Sequence, residues 1–355
     1  MWLVTGHAEV HAAAVDSRLS VDKRHATSAG SAGDAMPAVL GAHLLNSDPP
    51  AHTRLRKLVS KAFAPPSVRQ LQHEVQRSVD ALLDTLSVGS VTDLVTQFAQ
   101  PLSMSVICDL LGLPMAERRD FRGWTDTLLS PAADAATRSR EAMIAMHGYL
   151  SDVVARRRQR PGADILSHLV HARDDGAGLT ESELVGMCFL LLFGGYHNSA
   201  SLISTSLLAV LTHPCHLASV RSGELAIEAV TDEALRWNPP TMLSVRRFAT
   251  EPLRIDGVDI KTGDRVWLSW AAANRDPSVY EYSDRFNPWR PRSTHLAFGH
   301  GAHYCLAAAL GRLEGNVALR SVVQRFPSIK LAGQAAPEWK PSLRSRSLAS
   351  LHVTL

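Results

Sequence analysis

The sequence is poor in cysteine, poor in aromatic residues and nearly balanced in charge. Its four cysteines are Cys108, Cys188, Cys215 and Cys305. None forms a Cys-x-x-Cys pair or a zinc-finger spacing with histidine, which excludes the common structural zinc modules. Cys108 and Cys188 lie in apolar helical runs and read as small core residues. Free thiols of this kind fit a cytoplasmic protein. The net charge is only +3, and no dense basic run with interleaved aromatics occurs. Nucleic acid is therefore not an expected partner. The one short basic run, Arg156 to Arg158, precedes Pro161-Gly162 and reads as a solvated helix end. The opening MWLVTGHAEV lacks the basic and apolar regions of a signal peptide. The longest apolar stretch, LVGMCFLLLFGGY, is short and broken by glycine, so no membrane partner is expected.

What is present fits a globular protein with a sizeable core: 45% hydrophobic and 20% charged residues over 355 positions. No internal repeat or low-complexity tract appears. WLVT reads as a short strand and HAEVHAAAVD as a helix. Residues 21–40, rich in Ser, Ala, Gly and Asp, read as a mobile loop. DPPAHTRLRKLVSKAF enters a helix at Asp48-Pro49-Pro50, and amphipathic helices follow to about Arg160. The longest helix begins at LTESEL, where Thr180 and Glu183 form a capping box, and runs to Thr212 before Pro214. Its middle is apolar on nearly every face, so it is expected to cross the interior. Strand patterns come late, in SVRRFAT, LRIDGVDI and DRVWLSW. The expectation is a single domain over 1–355, mainly α with a minor β portion.

The chemistry concentrates in HLAFGHGAHYCLAAALGRLE, His295 to Glu314. Gly299 and Gly301 permit positive φ and a close backbone approach. Cys305 sits just ahead of a helical pattern, where free N–H groups and the positive dipole end favour a thiolate. By itself that leaves two readings, a metal ligand or a buried thiol at a helix start.

FGHGAHYC resembles the haem-binding loop of cytochromes P450, Phe-x-x-Gly-x-(His/Arg)-x-Cys-x-Gly, through Phe298, Gly301, His303 and Cys305. Ala307 stands at the last position in place of Gly. Three further stretches agree in order. EALR supplies Glu233 and Arg236, which the resemblance places in a structural ion network with a later basic residue. Arg285 of YSDRFNP is the expected third member, with Arg290 as the weaker option. HTRLR supplies His52 and Arg56, which with Arg247 and His303 are expected to cradle the haem propionates. ANRDP matches the segment after the late strands. The resemblance implies haem b, with Cys305 as the axial ligand of its iron, and a long central helix over the haem. It also implies that the family's opening helix and first strand are missing from this chain.

The long helix departs from the family. Where Ala/Gly-Gly-x-(Asp/Glu)-Thr is usual, the sequence reads FGGYHNSAS. Gly194 and Gly195 are expected to keep the small-residue groove for dioxygen. His197 replaces the acid and Asn198 the alcohol, two groups that help deliver protons in the family. Asn198 either holds a water or binds substrate. His197 either relays protons or points away and only packs. Phe193, Tyr196, Met242 and Leu243 are candidate pocket residues, each with a core position as the alternative.

The implied function is dioxygen-dependent oxidation in specialised-metabolite biosynthesis, by a haem-thiolate monooxygenase of the hydroxylating or epoxidising kind. Oxidative coupling of Tyr, Trp or His side chains of a short peptide is the alternative. A non-catalytic haem-binding homologue is a further one. Expected partners are a small-molecule or short-peptide substrate, dioxygen, and a separate ferredoxin or flavodoxin with its reductase. Arg292 and Arg312 are candidates for docking an acidic electron donor.

Overall fold

The computed structural model describes residues 1–27, 39–114, 117–128, 135–172, 178–291, 294–333 and 336–355. Helices dominate. In chain order they are α1 (His7–Val15), α2 (Ala51–Ser60), α3 (Pro65–Gln70), α4 (Gln72–Leu83), α5 (Gln100–Leu110), α6 (Arg118–Leu128), α7 (Ala135–Gln159), α8 (Ile165–His171), α9 (Glu181–Leu211), α10 (Pro214–Ser222), α11 (Ile227–Trp237), α12 (Trp270–Ala273) and α13 (Ala308–Arg325). The strands are β1 (Trp2–Val4), β2 (Leu19–Ser20), β3 (Val91–Asp93), β4 (Arg247–Ala249), β5 (Leu253–Ile255), β6 (Val258–Ile260), β7 (Arg265–Leu268), β8 (Lys330–Leu331) and β9 (His352–Thr354). Most of the expected mobile loop, residues 28–38, lies outside the described residues, as does Arg292.

Helix α9 organises the rest. Its capping box forms as the sequence predicts. The Thr180 hydroxyl accepts from the Glu183 N–H at 3.3 Å, and the Glu183 carboxylate accepts from the Thr180 N–H at 2.8 Å. Two otherwise orphaned donors are thereby satisfied at the helix start. From Ser199 to Leu211 every residue of α9 is buried. It packs against α5, α7, α11 and α13, so no polar face is left for solvent. No single helix among the described residues is long and apolar enough to cross a membrane.

The β portion is small and split three ways. One sheet has the order β1-β7-β4-β2, with β1 parallel to β7 and the other pairs antiparallel. A second has the order β3-β9-β8, and β5-β6 is a hairpin turning at Asp256-Gly257. The sequence predicts β1, β4, β7 and the hairpin, but not the second sheet. It also misses the π-helical turn Val95–Ala99 that leads into α5. Pro101 has no N–H to offer the carbonyl four residues back, and the wider turn precedes it.

Candidate functional site

The segment that carries Cys305 is held from both sides. Gly299 and Gly301 take φ of +75° and +72°, which lets the chain fold back so that the Cys305 N–H donates to the Phe298 carbonyl at 2.8 Å. A Cβ on Gly301 would meet Val15 of α1 at 2.7 Å, so glycine is required for contact as well as for φ. Ala307 adopts φ −99°, ψ 24°, a conformation open to any residue. That explains why alanine is accommodated there without strain. Helix α13 begins at Ala308, three residues beyond the sulfur. The Ala307 N–H donates to the Cys305 sulfur. Burial pushes the Cys305 thiol up, while that N–H, Arg56 and Arg312 pull it down. A cavity of about 670 Å³ adjoins the sulfur, lined by Arg56, Phe63, Asp232, Tyr304 and Arg312 among others. None of its walls comes from α9.

Beneath this loop lies a network built on α11. Arg236 is 1% exposed and meets Glu233 through two bonds of 2.7 Å. Its remaining donors go to the carbonyls of Asn274, Ser283 and Arg285 at 2.8–2.9 Å. The third side chain is Arg290, whose Nε reaches Glu233 at 3.2 Å. This corrects the expectation for Arg285, which contributes only its carbonyl. Its guanidinium stacks over the Tyr282 ring at 5.1 Å. The turn at Tyr282, with φ 48°, is bridged by Arg290, which donates to the Tyr282 carbonyl. Asn274 of the ANRDP segment is fully buried and accepts from the Leu296 N–H, tying the network to the cysteine segment.

His52, His303 and Arg247 come together. The two imidazole rings are 4.6 Å apart. His52 is 3% and Arg247 4% exposed. Burial, then Arg247 and His52, drive His303 down to about 3, and burial lowers Arg247 to about 10. His52 Nε2, His303 Nδ1 and Arg247 Nε are buried with no protein partner. Arg56, expected with them, spends one guanidinium nitrogen on the Ala302 carbonyl at 3.0 Å and lines the cavity beside Cys305.

On α9 the two glycines differ. A Cβ on Gly194 would meet nothing within 4 Å, whereas on Gly195 it would strike Ile107 of α5 at 2.9 Å. Only Gly194 opens a groove; the expectation for Gly195 is corrected to close helix packing. Asn198 is engaged at both ends. Its Nδ2 donates to the Gly194 carbonyl at 3.0 Å, and its Oδ1 accepts from the Thr241 hydroxyl at 3.1 Å. His197 turns toward α6, its Nε2 3.8 Å from Asp126 Oδ1. Burial, then Lys340 and Arg122, push it down to about 3, so the ring is neutral. Tyr196 is fully buried and is not a pocket wall. Sequence reasoning missed Thr241, Asp126 and Glu314. The last is 3% exposed, bonded to Ser199 and raised by burial to about 8.

The cytochrome P450 family profile matches residues 226–343. Cytochrome P450 107B1 of Saccharopolyspora erythraea is 38% identical over 99% of this chain and 88% of its own length. The cytochrome P450 monooxygenase PikC of Streptomyces venezuelae is 38% identical over 99% of this chain and 85% of its own. The tirandamycin C-bound P450 monooxygenase TamI superposes with a TM-score of 0.93 at 37% identity, covering 100% of this chain and 90% of that one.

The chain belongs to the cytochrome P450 family. Its cofactor is haem b, which family members bind through a cysteine thiolate. The residues of this P450 fit that group. Three orphaned nitrogens in one buried cluster, each on a group that burial holds below its usual basicity, call for anionic acceptors. Two propionate carboxylates supply such acceptors. The sulfur stands on the neighbouring loop, and Gly194 opens the long helix. This P450 is a monooxygenase-type enzyme that carries out haem-thiolate oxidation in specialised metabolism, with a substrate, dioxygen and a redox partner.

Proposed function

We propose that Cys305 is the axial ligand and that this P450 inserts one oxygen atom of dioxygen into a small specialised metabolite, by hydroxylation or epoxidation. The observation that carries the reading is the buried cluster of orphaned His52, His303 and Arg247 nitrogens, with Arg56 both acting on His303 and lining the cavity at the Cys305 sulfur. His52, His303 and Arg247 hold the propionates, and Arg56 fixes the loop. When bound, haem supplies dioxygen activation, for which a thiolate ligand favours O–O cleavage. The Ala307 N–H tempers the charge on the sulfur. The Glu233–Arg236–Arg290 network fixes the loop's geometry more than it adds stability. Gly194 keeps the face of α9 clear, and the apolar packing of α9 excludes water. Electrons come from a separate ferredoxin or flavodoxin. Arg312 is a poor docking residue, since its Nε is bound to Asp232 at 2.8 Å and it stacks over Phe298.

Cys305→Ala removes the thiolate-type carbon-monoxide difference spectrum; survival of that spectrum overturns the ligand assignment. With candidate metabolites, a product heavier by one oxygen supports insertion. A product lighter by two hydrogens assigns the enzyme to coupling instead.

A further inference from the structure

Oxygen insertion consumes protons: R–H + O2 + 2 H+ + 2 e− → R–OH + H2O, with the electrons supplied by the redox protein. The turn of α9 from Gly194 to Asn198 contains no group that relays them. An amide neither gains nor loses a proton near neutrality, and Asn198 is bonded at both ends. His197 faces Asp126 and Arg122 of α6, with Lys340 beyond, and is neutral. Glu314 is sealed behind Ser199 at 3% exposure.

The group that does meet this turn comes from another part of the chain. Thr241 lies four residues after Trp237, the last residue of α11. Its backbone pairs with Ser345, and the next residue, Met242, donates to the Arg344 carbonyl at 2.8 Å. The strand-like segment is thus fixed from behind. In front, its hydroxyl donates to Asn198 Oδ1 at 3.1 Å. The Asn198 amide cannot turn over, because its Nδ2 is committed to the Gly194 carbonyl. The hydroxyl proton therefore points at Asn198, and both lone pairs of the Thr241 oxygen are left to accept. A fixed hydroxyl one amide away from the only open glycine of the helix is a proton-passing group. It accepts from a water or a substrate donor and, by rotating, donates in turn.

We propose that Thr241, oriented by Asn198, is the alcohol that hands protons to the Gly194 groove of this P450. The long helix thereby takes from a facing segment the hydroxyl that its position 198 lacks. Asn198 is a positioning residue, and it acts through Thr241. The inference rests on the haem-thiolate reading. A thiolate-type carbon-monoxide spectrum in each variant keeps failure of that reading separate from failure of this one.

The test needs no identified substrate. A surrogate plant-type ferredoxin and its reductase drive NADPH oxidation under air. Dioxygen then leaves as peroxide, O2 + 2 H+ + 2 e− → H2O2, or as water, O2 + 4 H+ + 4 e− → 2 H2O. Water requires further proton delivery to the same site. Thr241→Val keeps the shape and removes the hydroxyl; it is expected to lower the ratio of water to peroxide by roughly tenfold or more. Thr241→Ser keeps the hydroxyl and is expected to behave as the parent. A second readout is independent of turnover: the C–O stretching frequency of the ferrous carbon-monoxide form reports polar groups at the groove. It is expected to shift in Thr241→Val and not in Thr241→Ser. An unchanged water-to-peroxide ratio in Thr241→Val overturns the proposal. So does an equal loss in Thr241→Ser, which assigns the residue a packing role. A loss seen in His197→Ala or Glu314→Gln while Thr241→Val is normal also overturns it and gives the protons another entry.

Discussion

At the scale of single residues, burial decides what a side chain does. Glu314 shows this most sharply. Its carboxyl is raised to about 8 by burial, from an ordinary value near 4.5, with Ser199 partly offsetting the shift. Below pH 4.5 both folded and unfolded chains hold the proton, and the group costs nothing extra. Between 4.5 and about 8 the unfolded chain releases a proton that the folded chain keeps, so stability falls as pH rises. Urea unfolding of Glu314→Gln is expected to lose that slope and to exceed the parent by a few kcal/mol at pH 8. A parent and variant with parallel pH profiles refute the assignment. The residue-scale reading of the sequence reached as far as spacing reaches. Phe298, Gly301, His303 and Cys305 are close in the chain, so their order carries their geometry. Arg285 and Arg290 are also close, but the choice between them depends on which guanidinium the turn at Tyr282 sends inward. Spacing holds no record of that. Thr241 was invisible for a related reason, since a lone threonine gains meaning only from the amide facing it.

At the scale of elements, α9 was the most legible part of the fold. A capping box, a long apolar run and a following proline are all local signals. What the helix does at Gly195 is not local, because Ile107 arrives from α5. Gly195→Val forces that side chain aside and is expected to cost about 1–3 kcal/mol in thermal or urea unfolding. Gly194→Ala meets no neighbour within 4 Å and escapes that clash. Equal destabilisation of the two variants would show that both glycines pack against a neighbour. The π-helical turn before α5 was missed because its cause is a single proline acting on the carbonyl behind it, inside an otherwise helical pattern. The β3-β9-β8 sheet was missed because none of its strands is joined to its partner by a tight hairpin, the local signal that marks β5-β6.

At the scale of the whole molecule, distant segments close on one another. Val353 of β9 is fully buried and pairs with Thr92 and Leu331. The Leu351 N–H donates to Asp93 across 258 positions. Val353→Asp places an unpaired charge in that core and is expected to cost on the order of 3–5 kcal/mol, read from the urea midpoint. A shift within 0.5 kcal/mol, roughly the surface range, would mean the pairing carries no stability. The bond from Arg56 to Ala302 spans 246 positions in the same way. During translation at roughly 5–20 residues per second, the ribosome takes on the order of tens of seconds to cover that interval. For that time the nascent chain carries His52 and Arg56 while the Cys305 segment is still untranslated. On the proposed ligation, pigment loading is a late event in biogenesis, and a message broken ahead of the Cys305 codon is expected to yield colourless product however much of it accumulates.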